Sequence, residues 1–291
     1  MTAGRPTPTR VLVTGASGRL GRRLVAALRL KPEYDVVAVG GTTESGGGVL
    51  PRVDLADADL VRRMVDDAKP DAIVHLGASV GARCDEDPEM AARINVDGTG
   101  VLARSLASRG QTRFVFASTA AVYGDGFSGP VPESAVTAPS STYGRQKLRA
   151  EDVLALTARE SDASLTSVAL RIFNVFGPGF DASLVERLRQ STPDRPVELR
   201  AMDEFVRDYV HVDDVVDAIV LSLAVDLGMP HATVNIGSGI GLTSRQLVQN
   251  LARVSPVYYS ATPGRPSSSV ADIGRARRLL GFDPRSSGAV T

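Results

Sequence analysis

One cysteine and three histidines are all that 291 residues offer a metal or a disulfide. The lone thiol, Cys84, excludes an internal disulfide framework. With the histidines scattered, a Cys/His metal site is not expected either. An excess of one charge is lacking too: 33 basic residues meet 33 acidic ones. That balance argues against nucleic acid as the partner. No apolar run reaches the length that spans a bilayer. Residues 1–10 carry prolines and threonines but no apolar segment of the signal-peptide kind. A cytoplasmic protein with a short frayed start, independent of membranes, is therefore expected. Its hydrophobic fraction of 43% suffices for one large domain or two smaller ones.

What the chain does hold is an alternation. Arg10-Val11-Leu12-Val13-Thr14 is a short apolar run that stops at Gly15. Gly15-Ala16-Ser17-Gly18-Arg19-Leu20-Gly21 then leads into Leu24, Val25, Leu28 and Leu30 at helical spacing. This order predicts a buried strand, a tight glycine turn and a helix. Glycines let the backbone approach a diphosphate closely, and the amides opening the helix can bind it. The Gly-x-x-Gly-x-x-Gly spacing in that position favours a dinucleotide site over a plain turn. A second strand is expected at Tyr34–Val39. An acidic residue at its end would bind the ribose hydroxyls of NAD. Gly40-Gly41-Thr42-Thr43 stand there instead. With no carboxylate to repel a 2′-phosphate, and Arg19 able to attract one, NADP(H) is favoured, with NAD(H) as the other option.

Val53-Asp54-Leu55 reads as a third strand end, with Asp54 placed to reach an adenine or to cap the next segment. A helix at residues 60–68 and a strand at 71–76 follow, then Gly77-Ala78-Ser79; His75 is expected in the core. Residues 80–89 read as a loop and 91–109 as a long helix. Phe114-Val115-Phe116-Ala117 reads as a strand ending in Ser118-Thr119. Such alternation demands a parallel sheet covered on both faces, with ligands beyond the carboxyl ends of its strands. Residues 167–173 form a further strand, which Asn174 and its followers break. Beyond lie a helix at 183–190 and strands at 197–199, 205–212 and 233–236. Asp213-Asp214 reads as a helix cap, and Thr243 with Gln246 as a capping box. A last helix runs from Asp272 to Gly281. The fold class is α/β: a Rossmann-type doubly wound parallel sheet with a small α/β substrate-binding domain built from C-terminal insertions. The dinucleotide-binding domain is placed at residues 1–174, with 206–237 returning to it. Residues 175–205 and 238–291 form the smaller domain.

Ser140, Ser141 and Thr142 precede Tyr143-Gly144-Arg145-Gln146-Lys147 as a helix start would. Tyr143 and Lys147 are four apart and share one helix face. A free phenol, with a pKa of about 10, is a poor acid–base catalyst at neutral pH. An ammonium nearby favours the phenolate. The same spacing is common on ordinary exposed helices, so its weight comes from the motifs around it.

Those motifs are Thr14 through Gly21, His75-Leu76-Gly77-Ala78, Asn95-Val96, Ser118 through Gly124, Tyr143 with Lys147, Arg171-Ile172-Phe173-Asn174 and Arg207 through Val212. As an ordered set, from about residue 10 to 280, they resemble an extended short-chain dehydrogenase/reductase of the nucleotide-sugar kind. The resemblance implies a triad in which Tyr143 is the acid/base, Lys147 its partner on the nicotinamide ribose, and Thr119 the hydroxyl on the substrate oxygen. Ser118 is the alternative to Thr119. It implies cofactor contacts from Gly15, Ser17, Gly18, Arg19, Leu20, Gly21, Asp54, Leu55, Leu76, Gly77, Ala78, Asn95 and Phe173. It implies substrate contacts from Ser79, Asn174 and Arg207. Departures matter too. Ala120 and Ala121 replace the Asp-Glu pair of dehydratases, so the acid and base for elimination are missing. Thr262-Pro263-Gly264-Arg265 stands where relatives read Arg-x-Gly-Asp, which moves the expected phosphate arginine to Arg265. The expected activity is NAD(P)H-dependent reduction of a nucleotide-linked keto sugar, a dTDP-4-keto-6-deoxyhexose first. An NAD-dependent 4-epimerase with the same triad is the alternative, and a non-catalytic NAD(P) sensor a distant one. The resemblance also implies a homodimer, formed through the helices at 91–109 and 143–159.

Overall fold

A computed structural model describes residues 7–40 and 51–290. Gly41, Thr42 and Thr43, on which the reading of the second strand's end leaned, lie outside the described residues, as do residues 1–6 of the expected frayed start. Strand β1 (Thr9–Thr14) buries Val11, Leu12 and Val13 completely. Helix α1 (Arg19–Arg29) follows, with Leu24, Val25 and Leu28 inward, and β2 (Tyr34–Val39) pairs parallel to β1. No strand forms at Val53-Asp54-Leu55. The chain makes an isolated bridge from Gly40 to Arg52 and then turns. Asp57 ends the turn by capping α2 (Ala58–Ala68), accepting from the amides of Asp59 and Leu60. Strand β3 (Ala72–His75) is buried throughout.

Residues 80–89 are not a plain loop. Cys84 packs inward from α3 (Arg83–Glu86), and Asp87 caps α4 (Pro88–Ala92) with proline in its first turn. A π-turn at Arg93–Asp97 carries α4 into α5 (Gly98–Ala107), so the expected long helix is longer and interrupted. Strand β4 (Thr112–Thr119), helix α6 (Thr142–Glu160) and strand β5 (Leu165–Ile172) follow. Where a break was expected, β6 (Asn174–Phe176) forms a strand. After α7 (Leu184–Arg189) and β7 (Val197–Arg200), β8 (Phe205–His211) pairs with β6 in parallel, which is why so short a segment stays extended. Helix α8 (Val212–Ala224) starts ahead of Asp213 and Asp214, so neither is its cap. Asp214 instead accepts from the amides of Ser286 and Ser287. Then come β9 (His231–Ile236), β10 (Gly241–Thr243) and α9 (Ser244–Ala252), which opens on the expected Thr243–Gln246 capping box. Strands β11 (Tyr259–Thr262) and β12 (Ser267–Ser269) lead to α10 (Gly274–Leu280), which Gly281 ends in the left-handed region. Asp272 lies just ahead of α10 and accepts from the Gly274 amide.

Six strands make the central sheet, in the order β2-β1-β3-β4-β5-β9, parallel from β2 through β4. With its flanking helices this is the Rossmann-like α/β fold that the alternation demanded. The chain divides into two compact units. The first takes residues 7–40, 51–118, 141–170 and 222–233. Its core joins Leu12, Ile73, Phe114 and Phe116 of the sheet to Val61, Leu102 and Leu154 of α2, α5 and α6. Each such side chain contributes about 1.5–3 kcal/mol by leaving water. The second unit takes residues 119–140, 171–221 and 234–290. There β8 lies between β10 and β12, β7 pairs with β11, and Phe176, Leu188, Leu199, Tyr209 and Leu247 form the core.

One buried carboxylate ties the second unit's loops. Asp208 Oδ1 accepts from the Ser238 amide at 2.7 Å and its hydroxyl at 2.6 Å. Its Oδ2 accepts from the amides of Gly239 at 2.9 Å and Ala271 at 3.1 Å. Among the described residues no helix is long and apolar enough to cross a membrane, and no group of three His, Cys, Asp or Glu side chains is placed to hold a metal.

Candidate active site

In the first unit, a cavity of about 440 Å³ opens where β1 and β3 end. Gly15, Ser17, Gly18, Asp54, Leu55, Leu76, Gly77 and Ala78 line it, all of them expected against the cofactor. Its walls demand glycine. Gly15 holds φ at +69°, and a Cβ there would stand 2.6 Å from the Gly77 amide nitrogen. A Cβ on Gly77 would stand 2.7 Å from Leu55 Cδ1. Ser79, expected against the substrate, lines this cavity instead. Asp54 accepts from the Ala56 amide, so it shapes the turn while facing the cavity. Arg19 is exposed at the start of α1. Arg19, Leu20, Gly21 and Asn95 do not line the cavity. Gly21 is needed for packing, since a Cβ there would meet the Gly15 carbonyl at 2.3 Å. Asn95 is buried and reaches the cavity only through Ser79, whose amide donates to its Oδ1 at 2.8 Å. The Asn95 Nδ2 donates to the Ser79 carbonyl at 3.0 Å and to Gln146 Oε1 at 2.8 Å. Gln146 Nε2 donates in turn to the Pro88 carbonyl at 3.0 Å.

Helix α6 carries the Tyr–Lys pair. Ser141 caps it, accepting from the Gly144 amide. Lys147 is buried; its Nζ donates to the Ala117 carbonyl at 2.7 Å and lies 4.3 Å above the Phe116 ring. It stands 5.8 Å from the centre of the Tyr143 ring. The expected tuning of the phenol is not what this geometry gives. Burial, and after it the charge of Cys84, pushes the Tyr143 phenol well above its ordinary range. Burial also pushes Lys147 down to about 7, against the charges of Glu151 and then Cys84. The ammonium sits closer to the Ala117 carbonyl and the Phe116 ring than to the centre of the Tyr143 ring. His75 is a core residue, bonded to Thr14 and Thr99 and held neutral: burial first, then Lys147, pushes it down to about 3.

In the second unit, Thr119, Phe173, Asn174 and Arg207 line a cavity of about 230 Å³. Thr119 accepts from the Ala121 amide and is half-buried. Phe173, expected beside the cofactor, is buried here with Thr119 and not in the glycine-lined cavity. Asn174 and Arg207 also line a larger cavity, of about 670 Å³, with Arg187, Arg200, Phe205 and Tyr209. The Arg207 guanidinium lies 3.7 Å over the Phe205 ring, bonds to Ser267 and sits 3.6 Å from Asp125. Arg265 is exposed and lines neither cavity, so the expected phosphate arginine is not brought to this site. Arg187 and Arg200 were missed by sequence reading, because nothing in the pattern tells which face of a short helix or strand a cavity takes. Glu151 was missed as well. Its signal was legible: an acid four residues past Lys147, on the same face.

A family model described as the NAD dependent epimerase/dehydratase family matches residues 11–237. A UDP-glucose 4-epimerase of Azospirillum brasilense is 32% identical over 98% of this chain and 90% of its own length. Among solved structures, MoeE5 in complex with UDP-glucuronic acid and NAD superposes with a TM-score of 0.82 at 32% identity, covering 97% of this chain and 95% of that one. The UDP-glucose 4-epimerase of Thermotoga maritima with UDP-glucose gives 0.85 at 27% identity, covering 97% and 96%. These likenesses overturn the expectation of keto-sugar reduction, because the relatives are 4-epimerases. The preference for NADP also loses its support, since the solved neighbour carries NAD. Residues 11–237 span the glycine turn, the Tyr–Lys helix and the Arg207 strand alike, and on that match the chain belongs to the NAD-dependent epimerase/dehydratase family.

Proposed function

We propose that this protein is a nucleotide-sugar 4-epimerase that holds NAD and acts on a UDP-hexose. One observation carries the reading: a glycine-walled cavity and a Tyr143–Lys147 pair occur in one unit. Helix α6 packs against α3, and Arg83 and Glu86 of α3 line the cavity. The cavity fits a dinucleotide, because side chains at Gly15 and Gly77 would fill the space it needs. Gly15, Ser17 and Gly18 would hold the diphosphate, Asp54 and Leu55 the adenosine, and Leu76, Gly77 and Ala78 the wall of the nicotinamide. Bound NAD supplies reversible hydride acceptance. The Tyr143 Oη takes the proton of the sugar's C4 hydroxyl and returns it after the carbon inverts. Thr119 is the proposed hydroxyl partner of the sugar, and the Lys147 charge lowers the cost of the phenolate. Asn174 and Arg207 hold the diphosphate of the sugar nucleotide. Hydrogen is conserved through the cycle, so no reductant is consumed.

The test is incubation with UDP-glucose or UDP-galactose and no added cofactor, followed by proton NMR of the anomeric signals. Interconversion is expected, together with NAD in the supernatant of denatured protein. No interconversion with either sugar, nor of UDP-glucuronic acid, would overturn the reading. Tyr143→Phe should lose at least about a hundredfold in turnover while NAD is retained. A homodimer through α5 and α6 is the proposed assembly, and the exposed Leu156 on α6 supports it. Sedimentation at micromolar protein would show monomers if that is wrong.

A further inference from the structure

Two cavities of the second unit share a wall. Asn174 and Arg207 line both the cavity of about 670 Å³ and the one of about 230 Å³. Their charges differ. Around the larger, Arg187, Arg200 and Arg207 outweigh Glu198. Around the smaller, Arg207 and Asp125 are the charged side chains among the described residues, and they cancel. Thr119 lines the smaller cavity and not the larger. A short chain of contacts holds Asp125 there. Arg207 Nη2 donates to Ser267 Oγ at 2.8 Å, and that hydroxyl donates to Asp125 Oδ1, also at 2.8 Å. Arg207 Nη2 itself stands 3.6 Å from the same carboxylate oxygen. Gly124, at φ +76°, makes the turn before Asp125, where a Cβ would run into the Ala138 carbonyl.

With a diphosphate on the shared wall, the nucleoside end falls to the arginine-rich cavity and the sugar to the smaller one, beside Thr119. We propose that the smaller cavity is built for an uncharged sugar, and that Asp125 is the specificity-determining residue that turns away a sugar carrying a carboxylate at C6. The proposal rests on the epimerase reading for the place of the diphosphate. A round cavity of about 230 Å³ is about 8 Å across, so a carboxylate anywhere inside it lies within about one Debye length of the Asp125 charge at physiological salt. Arg207 gives such a carboxylate little relief, because Asp125 and the diphosphate both draw on the same guanidinium. A uronate therefore brings a like charge into the cavity, which selects against it. The hydroxyls of a neutral hexose are donors to the Asp125 carboxylate instead.

Titration calorimetry on the full-length protein with NAD added gives Kd for UDP-glucose and for UDP-glucuronic acid. It is run on the wild type and on Asp125→Asn, which keeps the size and removes the charge. The wild type should bind UDP-glucose at least about tenfold more tightly than the uronate. In Asp125→Asn that preference should shrink about fivefold or more, the effect of one like charge near a surface, chiefly through tighter binding of UDP-glucuronic acid. The Asp125 side chain is 63% exposed, so raising salt from about 0.02 to about 0.5 M should narrow the wild-type preference and leave that of the variant nearly fixed. A wild-type preference short of the stated figure, or one that folded Asp125→Asn leaves within about twofold, overturns the proposal. Should the variant not fold, a wild-type preference that salt does not narrow overturns it. Binding is read without turnover. A wild type that discriminates as stated but epimerises nothing sinks the epimerase reading alone.

Discussion

Asp208→Asn should destabilise the second unit more than any conservative change on its surface. In the native protein two carboxylate oxygens accept four hydrogen bonds, three of them from the backbone amides of Ser238, Gly239 and Ala271. Asparagine keeps one oxygen and sets an NH2 group where the other stood. If the oxygen stays with Ser238, the amides of Gly239 and Ala271 point at a donor. Turning the amide over exposes Ser238 to the same conflict. Two amides, the buried one of Ala271 and the part-buried one of Gly239, left without an acceptor cost about 1–3 kcal/mol each, and the surviving bonds lose charge assistance worth about 1 kcal/mol more. Relaxation is restricted, because a Cβ on Gly237 would already lie 2.5 Å from Asp208 Oδ2 and nothing larger fits beside it. The expected loss is about 3–7 kcal/mol. With a urea slope of about 3 kcal/mol/M, the unfolding midpoint falls by about 1–2 M. The chain has no tryptophan, so circular dichroism is the probe. A midpoint within about 0.2 M of wild type, given the same slope, would refute the hydrogen-bond argument.

Gly15→Ala forces a left-handed residue and a 2.6 Å contact with the Gly77 amide. It should strip NAD from the purified protein while the dichroism spectrum stays native; retained NAD would contradict the cavity assignment. Arg207→Ala should raise KM for UDP-glucose about tenfold or more, as losing a charged partner to a phosphate does, whereas Arg265→Ala should leave it within about twofold, as a surface change does. Equal effects would restore Arg265 to the site. Stability should fall on acidification between about 6.5 and 3, the ordinary and folded values of His75. There the unfolded chain binds the extra proton, so the free energy of unfolding rises with pH. Lys147 repeats the sign between about 7 and 10.5. Thermal melts of His75→Gln from pH 7 to 4 should lose part of the wild-type slope; identical slopes would refute the burial argument.

Much of the fold was legible where a pattern was local. The β1 run, its glycine turn and the apolar face of α1 each rest on neighbours in sequence, and so does the Thr243–Gln246 box. Segments settled by distant partners were not legible. Asn174–Phe176 is a strand because β8 lies beside it, and Val53-Asp54-Leu55 is not one because Asp57 begins a helix. The residues of the candidate site were readable as a set, but the direction of the chemistry was not. One Tyr–Lys pair with one hydroxyl serves reduction and epimerisation alike, so residue types could not choose between them. Gly40 was weighed as a cofactor selector on charge alone. The sign of the shift on Tyr143 was also hidden, because it depends on how deep α6 lies, not on the four-residue spacing.

The amides of Asn95 and Gln146 have a consequence beyond packing. They clamp the rim behind β3 to the opening turn of the tyrosine's helix, with Pro88 as the far anchor. Rim and helix should then drift as one piece, and an inhibitor that wedges Ser79 outward would drag the phenol out of alignment without touching it. Resistance to such a compound would surface as cavity-distant changes at Asn95 or Gln146, each blunting the inhibitor and the enzyme together.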